Sequence, residues 1–426
     1  MTDTWFRLDN AAKIYPAAQT SDWSPMFRFS ADLDEPVDLA VLEQALGNAL
    51  QRFPTFSCRM RRGFFWFFLE PTIGHPPITE DVANPMTRLF PKDNGGFLFR
   101  IRHFQDRIAI ECFHCLADGR GALCFFLSLL REYLQLRHGE QIPAGGLLRD
   151  CSETPEMEEV EDSFLRYAGK ERLSRKEAIA WRPFGKRIPR GDVMITTGVA
   201  PTEKLLEVAK LYGAKAGEFL TALLLESLLH VQDATADEKA RRLPVKVSVP
   251  VDLRRYFPSM TTRNFASYVN LGVEPRLGKY TFLEILTQVK GSMMVMATKK
   301  NLLAKFSGNV AAERNPLVRI LPLFVKRPLL RFAYHALGSD KSTSATLSNL
   351  GQVDLPPQMS KHIRRLDFLL GQPSSCRPGV AVISCGGSTV INFTRIMESP
   401  VVEREFFREM VKLGIPVYIE TNRRTL

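Results

Sequence analysis

Apolar positions change their spacing within residues 107–134, RIAIECFHCLADGRGALCFFLSLLREYL. Ile108, Ile110 and Cys112 alternate with the residues between them, which is typical of a strand. A second apolar set recurs at the spacing of a helix: Ala122, Phe125, Phe126, Leu129, Leu130 and Tyr133. The pattern predicts a strand, a loop over 114–119 and a buried helix.

The same two periods alternate along the rest of the chain and predict a mixed α/β fold. Early strands are predicted over 26–33, 55–60, 64–70 and 97–103, with a helix beginning after Asp38 as its N-cap. Later strands are predicted over 193–199, 245–254, 344–350 and a hairpin at 380–394. Later helices are predicted over 202–212 with Thr202 as cap, 215–231, 282–299, 317–337 and 403–413, with the helix over 317–337 interrupted by Pro322 and Pro328.

Residues 139–192 differ in composition from the segments around them. They contain an acidic run, which is Glu153, Glu156, Glu158, Glu159, Glu161 and Asp162, and several prolines. Such a run is typical of a solvated face. We therefore expect an N-terminal lobe over 1–150, a mobile connector over 151–192 and a C-terminal lobe over 193–426.

The formal net charge of +11 raises the question of whether the protein binds nucleic acid or another anion. The basic residues form short clusters at 59–62, 186–190, 239–242, 364–365 and 423–424. These clusters are not interleaved with aromatic residues as in a nucleic-acid-binding module, so no nucleic-acid partner is expected. A solvated basic surface and the attraction of an anionic ligand both fit the charge.

The cysteines and the apolar segments indicate the compartment. Seven cysteines, an odd number, are scattered through apolar segments, as reduced thiols in a cytoplasmic protein would be. Cys112 and Cys115 form a CxxC with no second pair nearby, which favours buried thiols over a metal or redox site.

No apolar run is long enough to cross a membrane, which leaves room only for peripheral contact with a membrane. The first residues lack the pattern of a signal peptide.

The loop after the first strand carries the residues best suited to chemistry, His114, Asp118 and Gly119. A histidine at the end of a strand can keep one ring nitrogen free for proton transfer. Asp118 could hold the loop or fix the imidazole tautomer, and the spacing does not distinguish these roles. Gly119 and Gly121 are expected to let the chain turn sharply.

This HxxxDG motif resembles the active-site motif of one superfamily. Its members are chloramphenicol acetyltransferase, peptide-synthetase condensation domains, plant BAHD acyltransferases and alcohol acetyltransferases. PVDLR at 250–254, TLSNLG at 346–351 and the hairpin and helix at 380–413 resemble further segments of the same group in the same order. Phe113 replaces the first histidine of condensation domains, and DFLLG at 367–371 lacks part of the plant DFGWG motif. The chain therefore looks closest to alcohol acetyltransferases.

The resemblance implies two chloramphenicol acetyltransferase-like lobes, each a mixed sheet flanked by helices, with an active-site channel between them. It implies transfer of an acyl group, acetyl in many relatives, from acyl-CoA to a small alcohol or amine. His114 would be the general base, and Asp118 and Gly119 would be structural, with Asp118 paired to Arg254. Ser348 and Asn349 would stabilise the oxyanion. Acyl-CoA would be a co-substrate, with no permanently bound cofactor and no metal.

Two alternatives remain open at this point. The chain could be a condensation enzyme that takes its donor from a carrier protein, or a non-catalytic binding protein with the same fold. An acyl-cysteine at Cys115 is disfavoured, because its side chain should leave the strand on the face opposite His114.

Overall fold

The structure is a computed structural model that describes residues 5–19, 23–173, 177–336, 341–373 and 375–422. The end of the helix predicted over 317–337 and the basic pair at 423–424 lie outside these residues. No helix in the described ranges is long and apolar enough to cross a bilayer.

The first lobe is built on a five-stranded sheet. Its order is β12 (Ile363–Leu370), β2 (Met26–Leu33), β7 (Arg107–Phe113), β6 (Phe99–Phe104) and β5 (Ile78–Glu80). Only β5 and β6 run parallel, and the other pairs are antiparallel. The helices α2 (Leu39–Arg52) and α3 (Gly119–His138) pack together, and their apolar side chains join those of the sheet in one core.

The second lobe is built on a seven-stranded sheet. Its order is β10 (Ala266–Val273), β9 (Val245–Asp252), β11 (Ala345–Gln352), β13 (Gly379–Cys385), β14 (Ser388–Arg395), β8 (Met194–Pro201) and β15 (Tyr418–Thr421). The strand β11 is parallel to both of its neighbours, whereas the remaining pairs are antiparallel. The helices α6 (Ala216–Thr235), α8 (Phe282–Met296) and α13 (Val401–Lys412) pack on one another around a second core.

The remaining elements are a third sheet, further helices and 3₁₀ turns. A three-stranded sheet contains β1 (Phe6–Arg7), β4 (Phe67–Pro71) and β3 (Cys58–Arg62). The other helices are α1 (Ile14–Ala18), α4 (Ser163–Tyr167), α5 (Thr202–Leu211), α7 (Glu238–Arg241), α9 (Lys299–Arg314), α10 (Pro316–Ile320), α11 (Leu323–Ala336) and α12 (Pro357–Ser360). Three 3₁₀ turns cover Met157–Glu159, Leu253–Arg255 and Pro275–Leu277.

The predicted mixed α/β, two-lobed architecture is confirmed, but the lobes do not follow the predicted sequence ranges. β12 falls within 193–426, yet it pairs with β2 in the first sheet. The chain therefore crosses back to the first lobe before it returns to complete the second. The strands β10 and β12 were not predicted from the sequence.

Several predicted helix limits are wrong for local reasons. Pro201, not Thr202, is the N-cap of α5, and the Thr202 hydroxyl instead lies 2.9 Å from that of Thr389. The helix predicted over 282–299 ends at Met296, and Thr298 caps a separate helix, α9. The predicted break at Pro322 is confirmed, because this residue lies between α10 and α11, whereas Pro328 does not interrupt the helix and is accommodated inside α11.

The acidic connector is only partly a solvated face. Its Glu159 is buried, and its carboxylate accepts hydrogen bonds from Arg52 and Arg149. The Glu159 backbone oxygen accepts from the Thr262 N–H at 2.8 Å. This part of the connector is therefore fixed to both lobes, because Arg52 belongs to the first and Thr262 to the second.

Candidate active site

The loop after β7 is held at each end by a hydrogen bond that involves a backbone group. The His114 N–H donates to Pro25 O at 2.9 Å, which continues the pairing of β7 with the chain before β2. Asp118 is the N-cap of α3, and its Oδ1 accepts from the Gly121 N–H at 2.9 Å. The strand, loop and helix predicted from residues 107–134 are therefore present, with the loop at 114–118.

Asp118 forms a buried ion pair with Arg254 of the second lobe. The Arg254 Nη1–Asp118 Oδ2 distance is 2.9 Å and the Nη2–Oδ1 distance is 3.3 Å, so the contact is bidentate. Asp118 Oδ2 also accepts from the Phe265 N–H at 2.8 Å. Arg254 donates in addition to Thr261 O and Arg263 O. Of the two roles open to Asp118, these contacts favour holding the loop.

Asn264, rather than Asp118, contacts the imidazole. Asn264 Oδ1 lies 3.1 Å from His114 Nδ1, and Asn264 Nδ2 donates to Asp9 Oδ2 at 3.1 Å. The bond to the carboxylate turns the amide so that its oxygen faces the ring. His114 Nδ1 therefore carries the proton, and Nε2 is left with the lone pair.

Sequence reasoning missed both Asn264 and Asp9. Asn264 lies between β9 and β10, in a segment whose residue types are ordinary for a loop. Asp9 follows β1, more than a hundred residues from the histidine in the chain. Nothing in their local sequence indicates that the fold brings them to His114.

Two aromatic rings contact the imidazole. Tyr15 stacks on His114 with ring centroids 4.5 Å apart, and Phe27 meets it edge-on at 5.2 Å. Burial lowers the pKa of His114, and this effect outweighs the hydrogen bonds and the nearby carboxylates that act in the opposite direction. The imidazole is therefore neutral at pH 7, as a proton acceptor must be.

The two glycines of the motif serve close packing rather than a sharp turn. Neither Gly119 nor Gly121 has a positive φ. A Cβ on Gly121 would lie 1.9 Å from Thr262 O, so only glycine lets α3 begin against the second lobe here. A Cβ on Gly119 would meet Leu350 Cδ2 at 3.5 Å, which is an ordinary contact.

Ser348 and Asn349 lie on β11, but no hydrogen bond joins either of them to His114 within the described residues. Asn349 Oδ1 accepts from the Gly351 N–H at 2.8 Å, and Ser348 is buried. The same segment reaches the start of α3 through the contact between Leu350 and Gly119. Their predicted role as oxyanion donors is therefore not visible in direct contacts with the histidine.

Cys112 and Cys115 are both buried free thiols. Burial raises the pKa of each, which disfavours the thiolate needed for nucleophilic attack or metal binding. In the described part of the chain, His230, Glu405 and Glu409 bring metal-ligating atoms close together. The Glu409 carboxylate also accepts a hydrogen bond from Lys412 Nζ at 2.6 Å. Ion pairing therefore explains why these side chains lie close together.

Two cavities are lined by residues that are close in the chain to His114 or to Tyr15, but His114 itself lines neither of them. One of about 440 Å³ is lined by Phe113, the residue before the histidine, and by Arg59, Arg61 and Arg88. The other, of about 330 Å³, has mostly aromatic walls, which include Trp5 and residues 65–68, with Lys13 and Arg319. A larger cavity of about 830 Å³ lies beside α13 and β15, and it contains no residue of the 114–119 motif.

Comparisons with known proteins agree with this architecture. No protein-family model and no curated protein matches the sequence. TRI101 from F. sporotrichioides, in complex with coenzyme A and T-2, aligns over 99% of this chain and 100% of its own, with a TM-score of 0.65 at 11% identity. The first condensation domain of the CDA synthetase aligns over 97% and 99%, with a TM-score of 0.65 at 15% identity.

A third structure has the same extent of similarity. Polyketide synthase associated protein 5 from Mycobacterium tuberculosis aligns over 96% of this chain and 98% of its own, with a TM-score of 0.63 at 13% identity. At these identities the likeness concerns the fold. The chain has the two-lobed fold of condensation domains and of TRI101, as the resemblance in the motifs predicted.

Proposed function

We propose that this protein transfers an acyl group from acyl-CoA to an alcohol or amine, with His114 as the general base. The observation that carries the proposal is the contact of His114 Nδ1 with Asn264 Oδ1, which leaves Nε2 as a proton acceptor. The lowered pKa of the imidazole keeps that nitrogen unprotonated near pH 7.

The proposed reaction needs no covalent enzyme intermediate. Nε2 takes the proton of the acceptor hydroxyl or amine as its oxygen or nitrogen attacks the thioester carbonyl. The tetrahedral intermediate then collapses and the C–S bond breaks. The imidazolium gives its proton to the leaving thiolate of coenzyme A. Asp118, Gly119 and Arg254 hold the loop and touch no reacting atom in this scheme.

The oxyanion of the intermediate requires a hydrogen-bond donor. We keep Ser348 and Asn349 as the proposed donors, since both side chains can donate and their segment contacts the start of α3. The Asn349 amide oxygen accepts from the Gly351 N–H, so Asn349 Nδ2 is the atom of this side chain that we propose donates to the oxyanion.

The two cavities suggest where the substrates bind. The cavity lined by Phe113 carries three arginines, of which Arg59 and Arg61 share Glu70 as partner, so a positive charge remains for the coenzyme A phosphates. The aromatic cavity suits an acceptor with an apolar body. We propose a channel between the lobes that joins them past His114, so that each substrate arrives from its own side.

Thiol release with purified protein tests the proposal. Acetyl-CoA and longer acyl-CoAs are each incubated with a panel of alcohols and amines, and free coenzyme A is measured together with the acylated product. We expect acceptor-dependent release that His114→Gln reduces by about 100-fold or more. His230→Ala, which changes an exposed histidine on α6, is the matched control and should keep full activity. Unchanged turnover in a folded His114→Gln protein would exclude the general-base role.

A carrier-protein-dependent condensation reaction is the second candidate, favoured by the similarity to condensation domains. The same assay separates the two functions. Product from an acyl group on a phosphopantetheinylated carrier protein, without product from any acyl-CoA, would support condensation and exclude the free coenzyme A donor.

A further inference from the structure

The tip of the β3–β4 hairpin is fixed against α10 and α11. The Leu323 N–H donates to Phe64 O at 2.7 Å. Lys326 Nζ donates to Phe65 O at 3.1 Å and to Arg319 O at 3.2 Å, while its ammonium lies 3.9 Å from the centre of the Trp66 ring. These contacts join the hairpin of the first lobe to the two helices as one surface. We call it the hairpin–helix surface, and it comprises residues 61–66 and 316–329.

Large apolar side chains project from this surface into solvent. Phe64 is 67% exposed, Leu317 is 76% exposed and Phe324 is 63% exposed. Ile320 and Leu329 are also exposed. Single exposed apolar residues are normal, whereas a group of five on segments that contact one another is typical of an interaction surface.

The charge of the surface has one sign. Residues 316–329 contain Arg319, Lys326 and Arg327, and no Asp or Glu. Residues 61–66 contain Arg61 and Arg62 and no acidic residue, although Arg61 pairs with Glu70 further along the hairpin. In the described residues, the exposed side chains of Arg62, Arg319 and Arg327 make no ion pair. Their charge is therefore available to an external anion.

Exposed Phe and Leu side chains beside unpaired arginines match a lipid surface better than a protein partner. Aromatic and aliphatic side chains enter the boundary between headgroups and acyl chains, while arginines remain at the level of the phosphates. The five exposed apolar residues project outward, as the apolar side of an interfacial segment does. The acid-free sequence is complementary to anionic headgroups.

We propose that the hairpin–helix surface binds the face of a lipid bilayer that contains anionic phospholipids. The binding is peripheral: Phe64 and Phe324 insert between the headgroups, and Arg62 and Arg327 contact the phosphates. The proposal does not depend on the acyl-transfer reaction.

Vesicle co-sedimentation of the full chain tests this proposal. The probes are vesicles of phosphatidylcholine alone and vesicles of phosphatidylcholine mixed with phosphatidylglycerol. We expect binding to the mixed vesicles, with a strong decrease at high salt, and much weaker binding to phosphatidylcholine alone. Phe64→Ser/Phe324→Ser and Arg62→Glu/Arg327→Glu should each reduce the partition coefficient on the order of tenfold or more.

Matched controls change equally exposed residues elsewhere. Leu211→Ser removes an apolar side chain that is 78% exposed on α5, and Arg242→Glu reverses an exposed charge after α7. Both should bind vesicles as the wild type does. Equal losses in test and control variants, or no binding to the mixed vesicles at low salt, would overturn the proposal. Binding to an acidic carrier protein instead of vesicles, lost in the same test variants, would overturn it in favour of a protein-docking surface.

Discussion

The carboxamide of Asn264 in the second lobe holds the imidazole of His114 in the first, with Oδ1 and Nδ1 3.1 Å apart. The amide is itself oriented by the buried carboxylate of Asp9. A chain of three side chains therefore determines which ring nitrogen of His114 carries the proton. The neutral amide provides this orientation without placing a charge against the ring, and burial lowers the pKa of the imidazole.

We predict that Asn264→Leu lowers kcat by about tenfold to 100-fold, because His114 Nδ1 loses its acceptor and the wrong tautomer becomes populated. The KM for acyl-CoA should change little, since Asn264 is proposed as a positioning residue. The measurement is steady-state kinetics of thiol release, with melting temperature as a check on folding.

Asn264→Asp distinguishes positioning from a merely structural role. The aspartate keeps the acceptor but adds a negative charge beside the ring, which should raise the pKa of His114. The acid limb of the pH–rate profile should then move to higher pH. A profile identical to that of the wild type would show that Asn264 does not act on the imidazole.

The ion pair between Asp118 and Arg254 should contribute to stability across the junction of the lobes. Removing one partner leaves the other charge buried without its counter-ion, so Asp118→Asn and Arg254→Met should each lower the free energy of unfolding by about 3–5 kcal/mol. Urea denaturation gives the two values. The double variant should lose less than their sum, because the residues contact each other directly.

Arg242→Met is the control for this pair. Arg242 and Glu238 form an exposed ion pair at 3.2 Å, which should contribute less than about 1 kcal/mol. Loss of activity in Asp118→Asn without any loss of stability would instead assign Asp118 a chemical role.

The sequence alone was sufficient to predict the strand, the loop and the helix around the HxxxDG motif. The change of period at residues 107–134 marks β7 and α3, and Asp118 is the type of residue that caps a helix. PVDLR could be matched to Asp118 only through the resemblance, since a single arginine after a strand carries no information about its partner. The ion pair is present because the two lobes meet there.

The contacts that depend on distant parts of the chain were not predictable in the same way. β12 has the composition of a strand in either lobe, and only pairing with β2 assigns it to the first sheet. Glu159 resembles its acidic neighbours in sequence but is buried against Arg52. Asp9 and Asn264 likewise acquire their relation to His114 from the tertiary fold.

Gly121 provides a test of how closely the lobes approach. Gly121→Ala would place a Cβ 1.9 Å from Thr262 O, so α3 or the segment that carries Thr262 must move. We expect a loss of stability of about 1–3 kcal/mol or more and a loss of activity, since the same segment positions Asn264. Thermal denaturation and thiol release are the measurements.

Gly47→Ala is the matched control for Gly121→Ala. Gly47 lies in α2, and apart from its chain neighbours and the nearby backbone of α2 no heavy atom lies within 4 Å of the position that an alanine methyl group would take there. Alanine should therefore stabilise the helix by about 0.5–1 kcal/mol. If Gly121→Ala is tolerated as well as Gly47→Ala, the close contact with Thr262 does not constrain the fold.

The pH dependence of activity should reflect the buried imidazole. Because burial lowers the pKa of His114 below its ordinary value of 6.5, the acid limb of kcat/KM should have its midpoint below pH 6.5. The unfolded chain binds the proton near pH 6.5 and the folded chain only at lower pH. The histidine therefore contributes stability that is complete above pH 6.5 and is lost as pH falls through the folded pKa.

Tyr15 is the residue through which this dependence can be changed. Its ring covers one face of the imidazole at 4.5 Å, so Tyr15→Ala should admit water and raise the pKa of His114 toward 6.5. We expect the acid limb to move upward toward pH 6.5, with the thioester more open to hydrolysis. Tyr15→Phe keeps the stacked ring and should move the acid limb less than Tyr15→Ala does. Equal profiles for the alanine and phenylalanine variants would show that the stacked ring does not control the proton affinity of His114.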